Sequence, residues 1–310
     1  MNPFALLLAK PHYVWRPRQA LLRVVRAMRR TPDDATVTLP WGAALRICPS
    51  EDIGRSIWTT GVYDLVASEA IWRLLDPGET AVDVGANIGY FTSLMACRAG
   101  PTGTMLAAEP HPEIHRALAQ NVEGLRAAGT KTAAVGLLRA ALSDAAGRLT
   151  LWEPPEFVTN RGTARLSTDA AGASADGAGR RFEVDVVTLD DWCGTSRPAV
   201  LKLDVEGHEL SVLRGAAHLL AARAIRDIVY EDHDPAASGI RAHLERHGFC
   251  VFALGQRITG PALLPPDTAS PLHFAPPSVL ATLQSGARAN PSGPAGLEGP
   301  LAVTRGPRGH

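Results

Sequence analysis

From about Thr80 onward the chain alternates short apolar runs with longer amphipathic stretches, and this rhythm restricts the fold more than any other feature. The runs Ala81–Val84, Thr104–Ala108, Thr132–Leu138, Ala199–Leu203, Ala224–Tyr230 and Phe249–Leu254 read as buried strands. Between them, apolar residues recur at helical spacing up to Ala96, over Pro112–Leu125, over Gly207–Ala222 and near Ile240–His247. Such alternation predicts a doubly wound α/β fold. Its sheet is mainly parallel, covered by helices on both faces and joined by right-handed crossovers.

Composition narrows the function. With 310 residues, 45% of them hydrophobic, the chain can bury one large core. Lys and Arg number 31, as do Asp and Glu, so the formal net charge is zero and nucleic acid is not an expected partner. Cys48, Cys97, Cys193 and Cys250 are scattered, which suits buried thiols in a reducing compartment better than a disulfide frame or zinc site. No apolar run reaches the ~20 residues that span a bilayer. The short stretch Phe4–Ala9 lacks the preceding positive charge of a signal peptide, so a cytoplasmic location is expected.

Three segments stand outside the rhythm. Residues 1–60 read as a basic helical extension and lead-in: the first thirty residues carry Lys10, Arg16, Arg18, Arg23, Arg26, Arg29 and Arg30 and no acidic residue. This stretch reads either as a solvated helix packed on the main domain or as an amphipathic helix resting on a membrane. Within a main domain over 61–284, residues 162–181 read as a flexible insertion rich in Gly, Ala, Ser and Asp. Residues 285–310 read as a disordered tail.

The most informative run is Val82-Asp83-Val84-Gly85-Ala86-Asn87-Ile88-Gly89-Tyr90-Phe91-Thr92. A buried strand ends beside an acidic residue, turns through glycine and enters a helix. Gly85 and Gly89 permit a tight turn and close ligand approach, with Ala86 and Asn87 between them, and helix-start amides are expected to face that ligand. A dinucleotide site would need G-x-G-x-x-G; here Asn87 replaces the middle glycine and the third is missing. Asp83 would also repel a pyrophosphate, whereas it suits the ammonium of S-adenosylmethionine. About twenty residues on, Glu109-Pro110 ends the next strand, where a carboxylate can accept from both ribose hydroxyls. After the third strand, Ser143 and Asp144 are candidates for bonding the adenine.

The runs VDVGANIGYFT, AAEPHP, RAALSDAAG, VDVVTLDDW, LKLDVEGHELSVLRGA and IVYEDH resemble, in order and spacing, the FkbM family of methyltransferases. The resemblance covers Tyr63 to Leu254. It implies a Rossmann-like class I methyltransferase with a seven-stranded sheet, S-adenosyl-L-methionine as cofactor, and O-methylation of a sugar, glycan or natural product. Two positions depart from the family pattern: Tyr63-Asp64 stands where Tyr-Glu is usual, and His208 where a small residue is common.

Methyl transfer to a hydroxyl asks the protein to align the acceptor and take its proton. The fourth strand delivers Lys202, Asp204 and Glu206 to the sheet edge, with Asp204 and then Glu206 as candidate base or acceptor-orienting groups and Glu206 alternatively capping the next helix. His233, after Glu231 and Asp232, is a further candidate base at neutral pH. The same carboxylates with His233 offer a magnesium site as a minority alternative, with no resident metal as the expectation. Two rival functions remain open: a nicotinamide-dependent oxidoreductase on a related fold, and a non-catalytic binding protein that retains the fold.

Overall fold

A computed structural model describes residues 32–158, 164–167, 179–233, 238–257, 260–266, 268 and 278–283. The basic run before residue 32 and the tail 285–310 lie outside these residues. A hairpin of β1 (Ala35–Thr38) and β2 (Ala44–Ile47) comes first, followed by α1 (Asp52–Thr60) and α2 (Leu65–Leu74). Residues 32–60 are therefore not a helical extension throughout. Asn121 ties the hairpin to the body: its side chain accepts from Arg46 N at 2.8 Å and donates to Ile88 O at 2.8 Å.

The alternating region follows as β3 (Thr80–Val84), α3 (Tyr90–Ala99), β4 (Thr104–Ala108), α4 (Pro112–Ala127) and β5 (Ala134–Leu138). After an excursion described below come α5 (Leu189–Cys193), β10 (Val200–Leu203), α6 (Glu209–Arg214), α7 (Ala217–Ala221) and β11 (Asp227–Glu231). The chain continues through α8 (Ile240–Arg246), β12 (Cys250–Arg257), β13 (Gly260–Leu264) and β14 (Ser278–Thr282). The main sheet runs β13-β12-β14-β11-β10-β3-β4-β5. From β11 to β5 every pairing is parallel, while β14 is antiparallel to both β11 and β12. The expected doubly wound α/β fold is present. Its sheet has eight strands among the described residues instead of seven, because β13 adds an antiparallel edge.

Strand alternation sorts the core into two layers. Ala81, Met105, Ala107, Val200 and Val229 pack on one face against Phe91, Leu94 and Met95 of α3 and Leu118 of α4. Val82, Val84, Leu201, Leu203, Ile228 and Tyr230 pack on the other against Leu189, Val212, Leu213 and Leu244. Each fully buried Leu or Met contributes about 1.5–3 kcal/mol relative to exposure. The stretch expected as one helix over Gly207–Ala222 is two short helices. A Cβ on Gly215, between them, would sit 2.0 Å from the Ser143 carbonyl oxygen, so close backbone approach breaks the helix there.

Between β5 and α5 lies a second sheet: β6 (Ala141–Leu142), β7 (Gly147–Glu153), β8 (Arg165–Ser167) and β9 (Arg180–Val187), ordered β6-β9-β7-β8. A short 3-10 turn, Pro155–Val158, follows β7. Part of the expected flexible insertion is thus strand: β8 pairs with Thr150–Trp152, and β9 starts at Arg180. The small sheet has its own apolar cluster of Ala141, Leu151, Val184 and Val186.

Candidate functional site

A crevice enclosing about 1140 Å³, its open mouth included, runs across the carboxyl ends of β3, β4, β10 and β11. Open α/β sheets bind ligands at this edge. Its floor is the turn between β3 and α3. Gly85 has φ +78°, and a Cβ there would lie 1.8 Å from the Asp204 carbonyl oxygen, so the two strand ends can meet only around a glycine.

The amides of that turn are bonded within the protein. Gly85 N and Ala86 N donate to Ala108 O at 3.0 and 2.9 Å, and Asn87 N donates to Glu109 Oε2 at 3.0 Å. Ile88 N donates to Asn87 Oδ1 at 2.7 Å, and Gly89 N to Ala86 O at 2.9 Å. These five turn amides are taken up within the protein, by the carbonyls of Ala108 and Ala86 and by two side chains. A pyrophosphate cradle needs such donors free.

Gly85, Ala86, Asn87, Glu109 and Pro110 line the crevice. Glu109 is buried, and its Oε1 accepts from His111 N at 2.9 Å. Burial pushes its carboxyl up to about 7 against the lowering effect of these amide bonds. Gly89 caps α3 from a left-handed conformation without lining the crevice. Asp83 is also absent from the lining. It is sealed in the core, accepts from Thr92 Oγ1 at 2.7 Å, and burial raises its carboxyl despite the nearby Lys202 ammonium. Asp83 shares a sheet face with Ala81, two residues earlier, and this turns it towards α3 and not into the opening.

Ser143 and Asp144 face away as well. Ser143 Oγ lies 2.8 Å from His208 Nε2 and donates to Asp144 Oδ1 at 3.1 Å. The wall near them is instead Ala140, Ala141 and Leu142, joined by Leu151, Ala164 and Leu166 of the small sheet. Asp64 is the N-cap of α2, accepting from Ala67 N and Ser278 Oγ, each at 3.0 Å, so this carboxylate is engaged structurally.

Carboxylates gather at the β10 and β11 end of the crevice, beside apolar and aromatic residues such as Ile53, Ile88 and Phe91. Asp204, Glu206 and Glu231 share the lining with Tyr63, Asp52 and Lys202. Lys202 Nζ donates to Asp204 Oδ2 at 2.8 Å and lies 5.0 Å from the Phe91 ring centre. Desolvation pulls the Lys202 ammonium down, but the charges of Asp204 and Asp83 outweigh it and hold it above the usual lysine range. Burial, then the Asp204 charge, pushes Glu206 up to about 7 and Glu231 up to about 8. Glu206 has φ +54°, a strained conformation for a side chain with a Cβ. It does not cap α6; Glu209 Oε1 accepts from Val205 N and Gly207 N in that loop. Burial and the same carboxylates raise the Tyr63 phenol well above its ordinary value.

His233 does not line the crevice; its side chain is 69% exposed and lies 3.6 Å from Glu231 Oε2. Asp232 accepts from Ser238 Oγ at 2.7 Å. Among the described residues no three His, Cys, Asp or Glu side chains are grouped to hold a metal ion. None of the described helices is long and apolar enough to cross a membrane. Lys202 reaches the crevice edge beside Asp204, where the fourth strand is expected to deliver it, although the sequence assigned it no chemical role; Tyr63 is a lining residue with no place in the site read from the sequence. The signal for Lys202 was present: a lone charge within the otherwise apolar strand Val200–Leu203 is either paired or functional.

The methyltransferase FkbM domain matches residues 83–251, more than half of the chain. Hexuronic acid methyltransferase AglP of Haloferax volcanii is 30% identical over 184 residues, 57% of this chain and 66% of that protein, so the chain spans just under two thirds of this relative. The 31-O-demethyl-FK506 methyltransferase FkbM of Streptomyces tacrolimicus is 31% identical over 249 residues, 72% of this chain and 89% of that protein. Methyltransferase sdnD of Sordaria araneosa is 31% identical over 218 residues, 62% of this chain and 78% of that protein. With its glycine turn, Glu109 and acidic strand ends all inside the matched segment, the chain belongs to the methyltransferase FkbM domain family.

Proposed function

We propose that the protein is an S-adenosylmethionine-dependent O-methyltransferase acting on a hydroxyl of a sugar or natural product. The observation that carries this is the crevice chemistry: a buried Glu109 beside a turn whose amides are all internally bonded, facing a wall of carboxylates. A carboxylate has about four acceptor positions, so Glu109 can hold its two amides and still accept from ribose hydroxyls. Above about pH 7 to 8, where Glu206 and Glu231 are ionised, the carboxylates of the lining suit a cationic ligand and oppose a phosphate. The cofactor, when bound, supplies an electrophilic methyl group on a sulfonium.

The chain's own residues do the rest. Glu109 holds the ribose, and Ala140, Ala141 and Leu142 offer an apolar wall for the base. Glu231 or Glu206, each raised into the neutral range, takes the proton of the acceptor hydroxyl at a carboxylate oxygen. Asp204, with one oxygen held by Lys202, orients the acceptor. Val205, Ile53 and Leu166 close the apolar part of the cleft and exclude water. Incubation with methyl-labelled S-adenosylmethionine and a panel of sugar and polyketide alcohols tests this reading. Label should appear as an ether, lost in Glu231→Gln or Glu206→Gln; label on nitrogen or carbon would overturn the O-methyl assignment.

A further inference from the structure

One buried polar contact takes no part in that chemistry: His111 Nε2 and Glu153 Oε1 stand 2.5 Å apart, with side chains 0% and 5% exposed. His111 is the N-cap of α4, and its Nδ1 accepts from Glu113 N at 3.2 Å and Ile114 N at 3.3 Å. The ring proton therefore sits on Nε2, which donates to Glu153. Phe157 and Phe182 flank the ring at centroid distances of 4.8 and 5.2 Å. Glu153 closes β7 of the small sheet, its other oxygen 3.7 Å from the exposed Arg180.

The same residue reaches the crevice through its backbone, since His111 N donates to Glu109 Oε1 at 2.9 Å. His111 thus grips the small sheet with its ring and Glu109 with its amide. Buried polar pairs of this kind rarely exceed well-packed apolar residues in stability, which points to a geometric role. Leu151 and Leu166, from strands of that same sheet, form part of the crevice wall.

We infer that His111 is a positioning residue: anchored through its ring to Glu153 of the small sheet, it fixes the Glu109 carboxylate for the ribose. This rests on the proposed role of Glu109. Calorimetric titration of the full chain with S-adenosylmethionine tests it. His111→Asn keeps a good N-cap but cannot reach Glu153, and Glu153→Ala removes the acceptor. Each should weaken binding about tenfold, the scale of one hydrogen bond to a charged group.

Glu153→Gln still offers an oxygen to Nε2 and should restore wild-type affinity. In a Glu109→Gln background, His111→Asn should have no further effect. Unchanged affinity in His111→Asn or Glu153→Ala would overturn the inference. So would a full additive loss in the Glu109→Gln background, which would mark a purely structural role. Should His111→Asn fail to fold, Glu153→Ala in the same background gives the equivalent comparison. Failure of the wild-type protein to bind S-adenosylmethionine would overturn the cofactor reading itself and this inference with it.

Discussion

Lys202 and Asp83 are register partners on the neighbouring parallel strands β10 and β3, and the Lys202 ammonium also lies 2.8 Å from Asp204 Oδ2. One buried cation thereby serves two carboxylates, one sealed in the core and one open to the crevice. Lys202→Met would leave Asp83 buried without an ammonium. Breaking a buried charge pair in this way costs about 3–5 kcal/mol. Urea unfolding should show a midpoint lowered accordingly; a midpoint equal to that of the wild type would show that Lys202 does not hold this charge.

Glu206, held up at about 7, and Glu231, at about 8, both titrate above the ordinary glutamate value of 4.5. The folded state keeps protons that the unfolded chain has released, so their contribution to stability is full below about pH 4.5 and is lost as pH rises through 7 to 8. A base must be ionised to act, so turnover should rise over that same interval. A rate profile across pH 5.5–9 on the wild type and on Glu231→Gln checks this. Loss of the upper inflection in the variant is expected, whereas an identical profile would remove Glu231 from the proton path.

Gly85→Ala combines a φ of +78° with a Cβ 1.8 Å from the Asp204 carbonyl oxygen. Strain in the left-handed region alone costs about 1–3 kcal/mol, and the clash adds to it by prising β3 from β10. Thermal unfolding should show a large drop in midpoint. Gly42→Ala, with φ +90° and open space around its Cβ, carries only the conformational cost and should lose much less. Equal losses in the two variants would contradict the close-approach argument.

Acceptor charge should matter. Asp52, Asp204, Glu206 and Glu231 line the crevice, and its lysine is already paired. Uncharged or amine-bearing alcohols are therefore expected to accept methyl faster than carboxylate-bearing ones. Competing a methyl glycoside with the matching methyl glycosiduronic acid, its carboxylate free, and weighing both products by mass spectrometry, decides the matter. A faster uronate would place an unseen cation at the acceptor.

Much of the main sheet was legible in the sequence because a strand buried on both faces leaves an almost continuous apolar run, interrupted by a single charge in each of Ala81–Val84 (Asp83) and Ala199–Leu203 (Lys202). The small sheet was harder to see. Its strands alternate, as where Phe182, Val184 and Val186 interleave with Glu183 and Asp185, a half-buried pattern that the polar insertion obscured. The glycine turn and Glu109 were readable from spacing. The direction of Asp83 was not: its spacing from the turn is the same whether it faces the opening or the helix, and only the pairing with Thr92 and Lys202 decides it. Likewise Ser143 lies one residue beyond the lining at Leu142, because its hydroxyl is taken up by His208 and Asp144. His111, an unusual N-cap, carries no local signal of its partner Glu153, which is 42 residues away.

The most direct measurement is calorimetric titration of the wild-type chain and Glu109→Gln with S-adenosylmethionine and, separately, with NADH. S-adenosylmethionine should bind one to one and lose about tenfold in Glu109→Gln, as expected for a lost charged hydrogen bond, while NADH gives no heat. Tighter binding of NADH, or no binding of S-adenosylmethionine at millimolar concentration, would contradict a crevice built around Glu109 for a phosphate-free cationic nucleoside.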